Sequence, residues 1–188
     1  AEAGLSVSLQ TDSLGGNQQN LLHLAALCVR YGMKEADALK AITLAPAEAV
    51  DLGNRIGSID AGKDADLVLL SGDPFEFTTS IEVVLIDGQM EYQAPGENRA
   101  PIISALGAAK GSLVLPEGLE EPGRIAVKAG TIFTMAGAPL RDGVILVNNG
   151  KIEQVGSRLA IPAGYRLVDA SEFVVMPGLV SPRSYVGI

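Results

Sequence analysis

The sequence predicts a mainly β protein with a short helical layer near its front. Short aliphatic runs bounded by Gly, Asp or Pro recur from Arg55 almost to the end, whereas the block from Leu21 to Leu52 keeps helical spacing of its apolar residues. Composition agrees: 47% hydrophobic residues with 22 Gly and 10 Pro describe an ordered, turn-rich chain. At 188 residues there is room for one ordinary domain, or two small ones sharing a core.

The first element expected is a brief strand in GLSVSLQTD, followed by a loop, SLGGNQQN. LLHLAALCVRY, Leu21 to Tyr31, spreads Leu, Ala, Cys and Val over a broad apolar face and stops at Gly32. KEADALKAITL gives a second helix with Ala36, Leu39 and Ile42 turned inward, and PAEAVDL a third, with Pro46 in its first turn. Three short helices in a row make a packing layer.

Strands then take over. RIGSI, ADLVLLSG, IEVVLIDG and QMEYQ are each short and aliphatic, and Asp87-Gly88 is the strongest hairpin signal in the chain. The stretch from Ala94 to Gly123, rich in Pro, Gly and Glu, reads as an exposed, mobile linker around the small apolar segment IISALGAAKG. Beyond it RIAVKAG, TIFTMAG, DGVILVNNG, KIEQVG, YRLVDAS and EFVVMPG predict a small antiparallel sandwich or barrel, with Asn149-Gly150 as a second hairpin turn. VVLIDGQMEY and VILVNNGKIEQVG echo one another as strand, polar-Gly turn, strand; the echo speaks to architecture only.

Charge and cysteine count exclude several function classes. Acidic residues outnumber basic ones 22 to 14, a net charge of -8, so a nucleic-acid or anionic-membrane partner is not expected and a soluble chain is. The one cysteine, Cys28, forms no internal disulfide and no zinc cluster. No run approaches the roughly 18 apolar residues of a membrane span. The opening AEAGLSVSLQTDS, without an initiator Met, reads as the interior of something longer.

Taken together, the pieces resemble the metal-dependent amidohydrolase superfamily, in an unusual order. YGMKEADALKAITLAPAEAVDLGNRIGSIDAGKDADLVLLSGDPFEFTTSIEVVLIDGQMEY is similar to that family's carboxyl-terminal portion. Its most specific part is IGSIDAGKDADLVLLSGDP, with Gly57, Gly62, Lys63, Asp64, Ala65 and Asp66 in the family's GxxxxGxxAD-like pattern. Those residues need only a turn between strands to explain them, with the glycines relieving backbone strain. RIAVKAGTIFTMAGAPLRDGVILVNNGKIEQVGSRLAIPAGYRLVDASEFVVMPGL is similar to the family's amino-terminal portion. Here the end precedes the beginning, as at the junction of two tandem units or in a permuted and divided gene; the junction is favoured.

The resemblance implies a composite β-sandwich of the amidohydrolase small-domain type plus edge elements of a TIM-like barrel. It divides the chain into a last barrel strand and helices (1–54), a first part of the sandwich (55–93), a linker (94–123), a second part of the sandwich (124–180) and the start of a barrel strand (181–188). In a closed eight-stranded barrel the first and last strands are neighbours, so the two end segments are expected to lie together.

Family members use one or two divalent ions to activate a water, and an Asp at the end of the last barrel strand binds metal and accepts the proton. Asp12, in SLQTDS, matches that Asp as candidate metal ligand and catalytic proton acceptor; read by itself, without the family, it is first a cap for the following loop or helix. The family's His-x-His after the MPGL-like turn is replaced by Arg183 and Tyr185, and Arg is no ordinary metal ligand. The single His of the chain, His23, sits among Leu and Ala and is expected to be packed or hydrogen-bonded. Ser13 and Cys28 lack the base or elbow a nucleophile needs, Gly15, Gly16 and Asn17 serve a turn beside the site, and no phosphate-cradling motif exists.

The resemblance therefore implies a parent protein that hydrolyses C–N bonds of small amide-like substrates with a divalent metal, zinc first among the choices. No cofactor is expected in the isolated chain, which should be inactive. The expected partners are the remainder of the barrel or another copy of the chain. The rival is a noncatalytic scaffolding or interaction domain derived from the same fold.

Overall fold

The computed structural model describes residues 6–11, 20–95 and 113–181. Asp12, Ser13, Gly15, Gly16, Asn17, Arg183 and Tyr185 lie outside them. The described residues form mainly β structure with three short helices: α1 (Leu21–Arg30), α2 (Glu35–Ala41) and α3 (Leu44–Ala49), then β1 (Leu67–Leu70), β2 (Ile81–Ile86), β3 (Gln89–Gln93), β4 (Arg124–Ile132), β5 (Leu140–Asn148), β6 (Lys151–Ser157) and β7 (Arg166–Pro177).

The seven strands join in one sheet of order β3-β2-β1-β7-β4-β5-β6. β1 holds it together: Leu67 to Leu70 pair antiparallel with Val174 to Pro177 of β7 on one side and with β2 on the other. All four β1 residues are buried, as expected of a short strand covered on both faces. Alternation sorts them. Leu67 and Leu69 enter the main core with Val83, Leu85, Val127, Ile145 and Val175, while Val68 and Leu70 face the helices with Leu21, Leu39, Ile42 and Met176. A smaller cluster of Ala126, Val144 and Leu146 is covered by Leu159, Ile161 and Tyr165.

Two differences from the sequence reading have local causes. RIGSI forms no strand, because Gly57 takes φ +85° and lies where a Cβ would stand 2.8 Å from Leu44 Cα; a turn there lets the chain pass close beneath α3. The four runs RIAVKAG, TIFTMAG, YRLVDAS and EFVVMPG merge into two long strands, β4 and β7, which pair in parallel rather than antiparallel. The merger is possible because Gly130 lets a bulge pass: the register shifts between Ala129 and Thr131, and a Cβ on Gly130 would lie 2.4 Å from the Ser171 carbonyl oxygen.

Within the stretch read as linker, residues 113–123 are docked. Leu119 is fully buried in the main core, its carbonyl accepts a hydrogen bond from the Met90 amide at 2.9 Å, and the Arg166 guanidinium donates to the carbonyls of Gly118 and Glu121.

Candidate functional site

The two segments leading toward the expected site meet at the end of α2. A helix leaves its last carbonyls without internal partners, and here the incoming chain supplies donors: the Leu9 amide donates to the Ala41 carbonyl at 2.8 Å, and the Val180 amide to the Ile42 carbonyl at 2.9 Å. Leu9 and Leu179 also pack on the helical side of the sheet with Leu39 and Met176. Leu9 stands three positions before Asp12, and Val180 three before Arg183.

A second constellation surrounds the glycine-aspartate motif, and there the geometry is complete. The Asp87-Gly88 and Asn149-Gly150 turns both hold positive φ at both central residues, 49° and 70°, 47° and 82°, the geometry that matches strand twist in two-residue hairpins. They abut: a Cβ on Gly150 would lie 2.9 Å from the Asp87 carbonyl oxygen. Ala65 stitches them, donating to the Gly150 carbonyl at 2.8 Å and accepting from the Gly88 amide at 3.0 Å. Gly62 and Lys63 exchange backbone bonds with Ile152, at 2.8 and 2.9 Å.

Asp64 gives this junction its charge. Its side chain is 2% exposed and pairs with Arg55 at 2.7 Å and with the Lys151 ammonium from the far end of the sheet. Burial works to raise its pKa, but the hydrogen bonds from Lys151 and Arg55, and the charges behind them, outweigh that and hold the carboxyl below its ordinary value. Asp66 goes the other way. Burial raises its pKa, helped by the nearby Asp87 and Asp64 charges and opposed by the Asp87 amide, which donates to Asp66 Oδ1 at 3.0 Å. The Asp66 backbone carbonyl accepts from Gly178 at 2.8 Å, tying the motif to the end of β7. Sequence reasoning singled out Asp64 and Asp66 as structural but missed Arg55 and Lys151 as partners, and no local pattern signals a residue 87 positions away.

Two of the other nominated side chains lie among the described residues. His23 is exposed on α1, and Cys28 is half-buried on the same helix. Among the described residues no group of three or more His, Cys, Asp or Glu lies close enough to hold a metal ion. Catalytic zinc normally takes three protein ligands, and among the described residues no such set is assembled. Among the described residues, surface cavities stand near the sheet. One of about 670 Å³ is bordered by Asp73, Thr131, Phe133, Arg141 and Glu172, with Arg141 donating to Thr131 Oγ1 at 2.6 Å. Another, about 370 Å³ and mostly apolar, lies among Val68, Ile81, Val84, Leu179 and Val180, with Asp66 at its edge. Among the described residues no helix is long and apolar enough to cross a membrane.

The sequence of residues 1–100 matches the model of the amidohydrolase family. The chain belongs to the amidohydrolase family. It is 28% identical over 188 residues to amidohydrolase tasK of Hapsidospora irregularis, covering 89% of this chain and 19% of that protein. It is 42% identical over 71 residues to an imidazolonepropionase of Geobacillus sp. (strain WCH70), covering 36% of this chain and 17% of that protein. Among solved structures it is similar to an amidohydrolase from Thermotoga maritima MSB8, at 41% identity and a TM-score of 0.47, covering 50% of this chain and 24% of that one. This amidohydrolase-family chain thus spans about a fifth of the length of the two curated relatives just named.

Proposed function

We propose that the chain is a composite part of an amidohydrolase-type hydrolase, joining the carboxyl-terminal portion of one unit to the amino-terminal portion of the next. Its sheet corresponds to the family's small β-sandwich, and the segments at Leu9 and Val180 to the last and first strands of TIM-like barrels. The observation that carries this is that those segments donate to the successive carbonyls of Ala41 and Ile42, the adjacency expected where the last strand of one unit and the first strand of the next lie at one barrel seam. The alignment with the Hapsidospora protein adds support. A match over 89% of this chain is long enough to include residues of both portions.

In this reading Asp12 is the metal ligand and proton acceptor of the first unit's barrel. The parent hydrolyses a C–N bond in a small amide-like substrate with water activated by a divalent metal, and other polypeptide supplies the remaining ligands. The chain alone is inactive. The test sets it beside the longer parent polypeptide, measuring bound zinc by elemental analysis and amide hydrolysis on a substrate panel. Metal and activity in the parent alone are the expected result; tight stoichiometric zinc in the isolated chain would overturn it.

A noncatalytic scaffolding role is the second reading, favoured by Arg183 and Tyr185 standing where the second unit would carry its His pair. A parent without metal or hydrolysis, yet still folded, would decide for it.

A further inference from the structure

Gly130 sets the shape of the larger cavity. The β4–β7 ladder steps from the Ala129–Ala170 pair to the Thr131–Val174 pair, so Ser171, Glu172 and Phe173 stand opposite this one glycine. A Cβ there would lie 2.4 Å from the Ser171 carbonyl oxygen, and any side chain would push the bulged strand away. The bulge sorts its own side chains. Phe173 turns into the main core, and Glu172 stays exposed at a cavity of about 670 Å³ that Thr131 lines from β4, Phe133 just beyond it and Arg141 from β5. Bulges re-aim side chains in this way and are over-represented beside active sites.

Arg141 brings a cation to this cavity. It stands across the ladder from Thr131, and its guanidinium donates to Thr131 Oγ1 at 2.6 Å, on a residue only 7% exposed. That bond fixes the guanidinium and leaves most of its N–H donors for other acceptors. Among the described residues no carboxylate pairs with it, although Asp73 and Glu172 border the same space. Arg55, by contrast, is paired with Asp64. Asp73 is held by its own turn, where Oδ1 accepts from the Phe75 amide at 2.9 Å. The cavity thus presents an anchored guanidinium fork, two carboxylates and the half-buried ring of Phe133.

We propose that this cavity binds a small zwitterion of the α-amino acid class, with its carboxylate on the Arg141 fork, its ammonium on Glu172 and its side chain against Phe133. A guanidinium takes a carboxylate through parallel N–H···O bonds, which gives direction as well as attraction. Charge complementarity disfavours simpler ligands. An anion alone would meet Asp73 and Glu172 as well as Arg141, and a bare amine or metal ion would meet the guanidinium; a ligand carrying both charges is matched at each end. The volume lies within the ordinary range of small-molecule sites. These contacts need no metal and make no use of Asp12. Binding is therefore measured on the chain as it stands, and its failure leaves the hydrolase reading untouched.

The test titrates the full chain with L-phenylalanine, L-leucine and L-lysine, followed by calorimetry and by backbone amide shifts. Saturable binding of at least one of them, with shifts centred on Gly130 to Phe133 and Ser171 to Val174, is the expected result. The amine and the carboxylate made by deleting one charged group from the best binder should each bind about tenfold more weakly or worse, the loss of one charge-assisted contact. Arg141→Met should weaken the amino acid by a similar factor. Glu172→Gln should weaken it too, yet leave the carboxylate analogue bound as well as before or better, a difference that a structural role for Glu172 would not produce. Both residues are exposed, so both variants should keep the wild-type melting temperature. No saturation by about 10 mM for any of the three amino acids, shifts centred elsewhere, equal affinity for the amino acid and its two analogues, or wild-type binding by Arg141→Met overturns the inference.

Discussion

Asp64, in the loop before β1, and Lys151, the first residue of β6, are ion-paired across 87 positions of sequence. The pair joins the loop of the family motif to the far end of the sheet. Asp64 is buried and also holds Arg55, whose side chain, like that of Lys151, stays more than half exposed.

Removing Asp64 should therefore cost less than breaking a wholly buried pair, because both cations can rehydrate. Asp64→Ala is expected to lower unfolding stability by about 2 kcal/mol at neutral pH, read from urea melts. The pH dependence follows from its depressed pKa. Between the folded value and the ordinary 3.8 the unfolded chain binds more protons, so stability rises with pH through that window. The wild-type advantage should be full above the window and fade as pH falls through the folded pKa. An undiminished difference well below it would refute the ion-pair account.

Asp66 gives the opposite slope. Its pKa is raised, so between the ordinary 3.8 and the folded value the native state holds the extra proton and stability falls as pH rises. Asp66→Asn keeps an oxygen to accept from the Asp87 amide and removes the desolvated charge. The variant should be as stable as wild type or slightly more so above the folded pKa, with the advantage gone in acid. Marked destabilisation at neutral pH would mean that the charge itself is needed.

The hairpin turns separate conformational cost from crowding. Gly62 and Gly150 both hold positive φ, +88° and +82°, but a Cβ on Gly62 meets open space whereas one on Gly150 meets the Asp87 carbonyl oxygen at 2.9 Å. Gly62→Ala should cost about 1 kcal/mol from the backbone conformation alone. Gly150→Ala should cost roughly twice that or more, since the neighbour is backbone and the two turns must part. Gly137→Ala, with neither constraint, is the control, and equal losses at 62 and 150 would rule out the turn-to-turn contact.

How much of this was legible beforehand depended on the range of the signal. The helical spacing in LLHLAALC, the Asp87-Gly88 and Asn149-Gly150 turns and the short aliphatic run from Leu67 to Leu70 are local, and each corresponds to an element. The merger of β4 and β7 across Gly130 was not legible, because a glycine between two strand-like runs reads as a turn until the partner strand is seen bulging at Ser171. Their parallel pairing is likewise a property of topology. At the site, the motif residues could be read as structural, but their hold on Lys151 and Gly150 is tertiary. The echo of the two hairpins marks the two turns that Ala65 joins.

Leu119 tests the part of the chain where composition misled most. PEGLEEPG has the Pro, Gly and Glu of an exposed connection, yet its one large apolar side chain is fully buried beside the β3 end of the sheet. Arg166 clamps the backbone on either side of it through Gly118 and Glu121. Truncating a fully buried Leu costs about 2–5 kcal/mol, depending on how far the cavity collapses. Leu119→Ala should fall in that range by urea denaturation, while Val114→Ala, at a side chain 78% exposed, should change stability by less than about 0.5 kcal/mol. A Leu119→Ala variant as stable as wild type would mean that this segment lies off the core and that the main cluster closes without it.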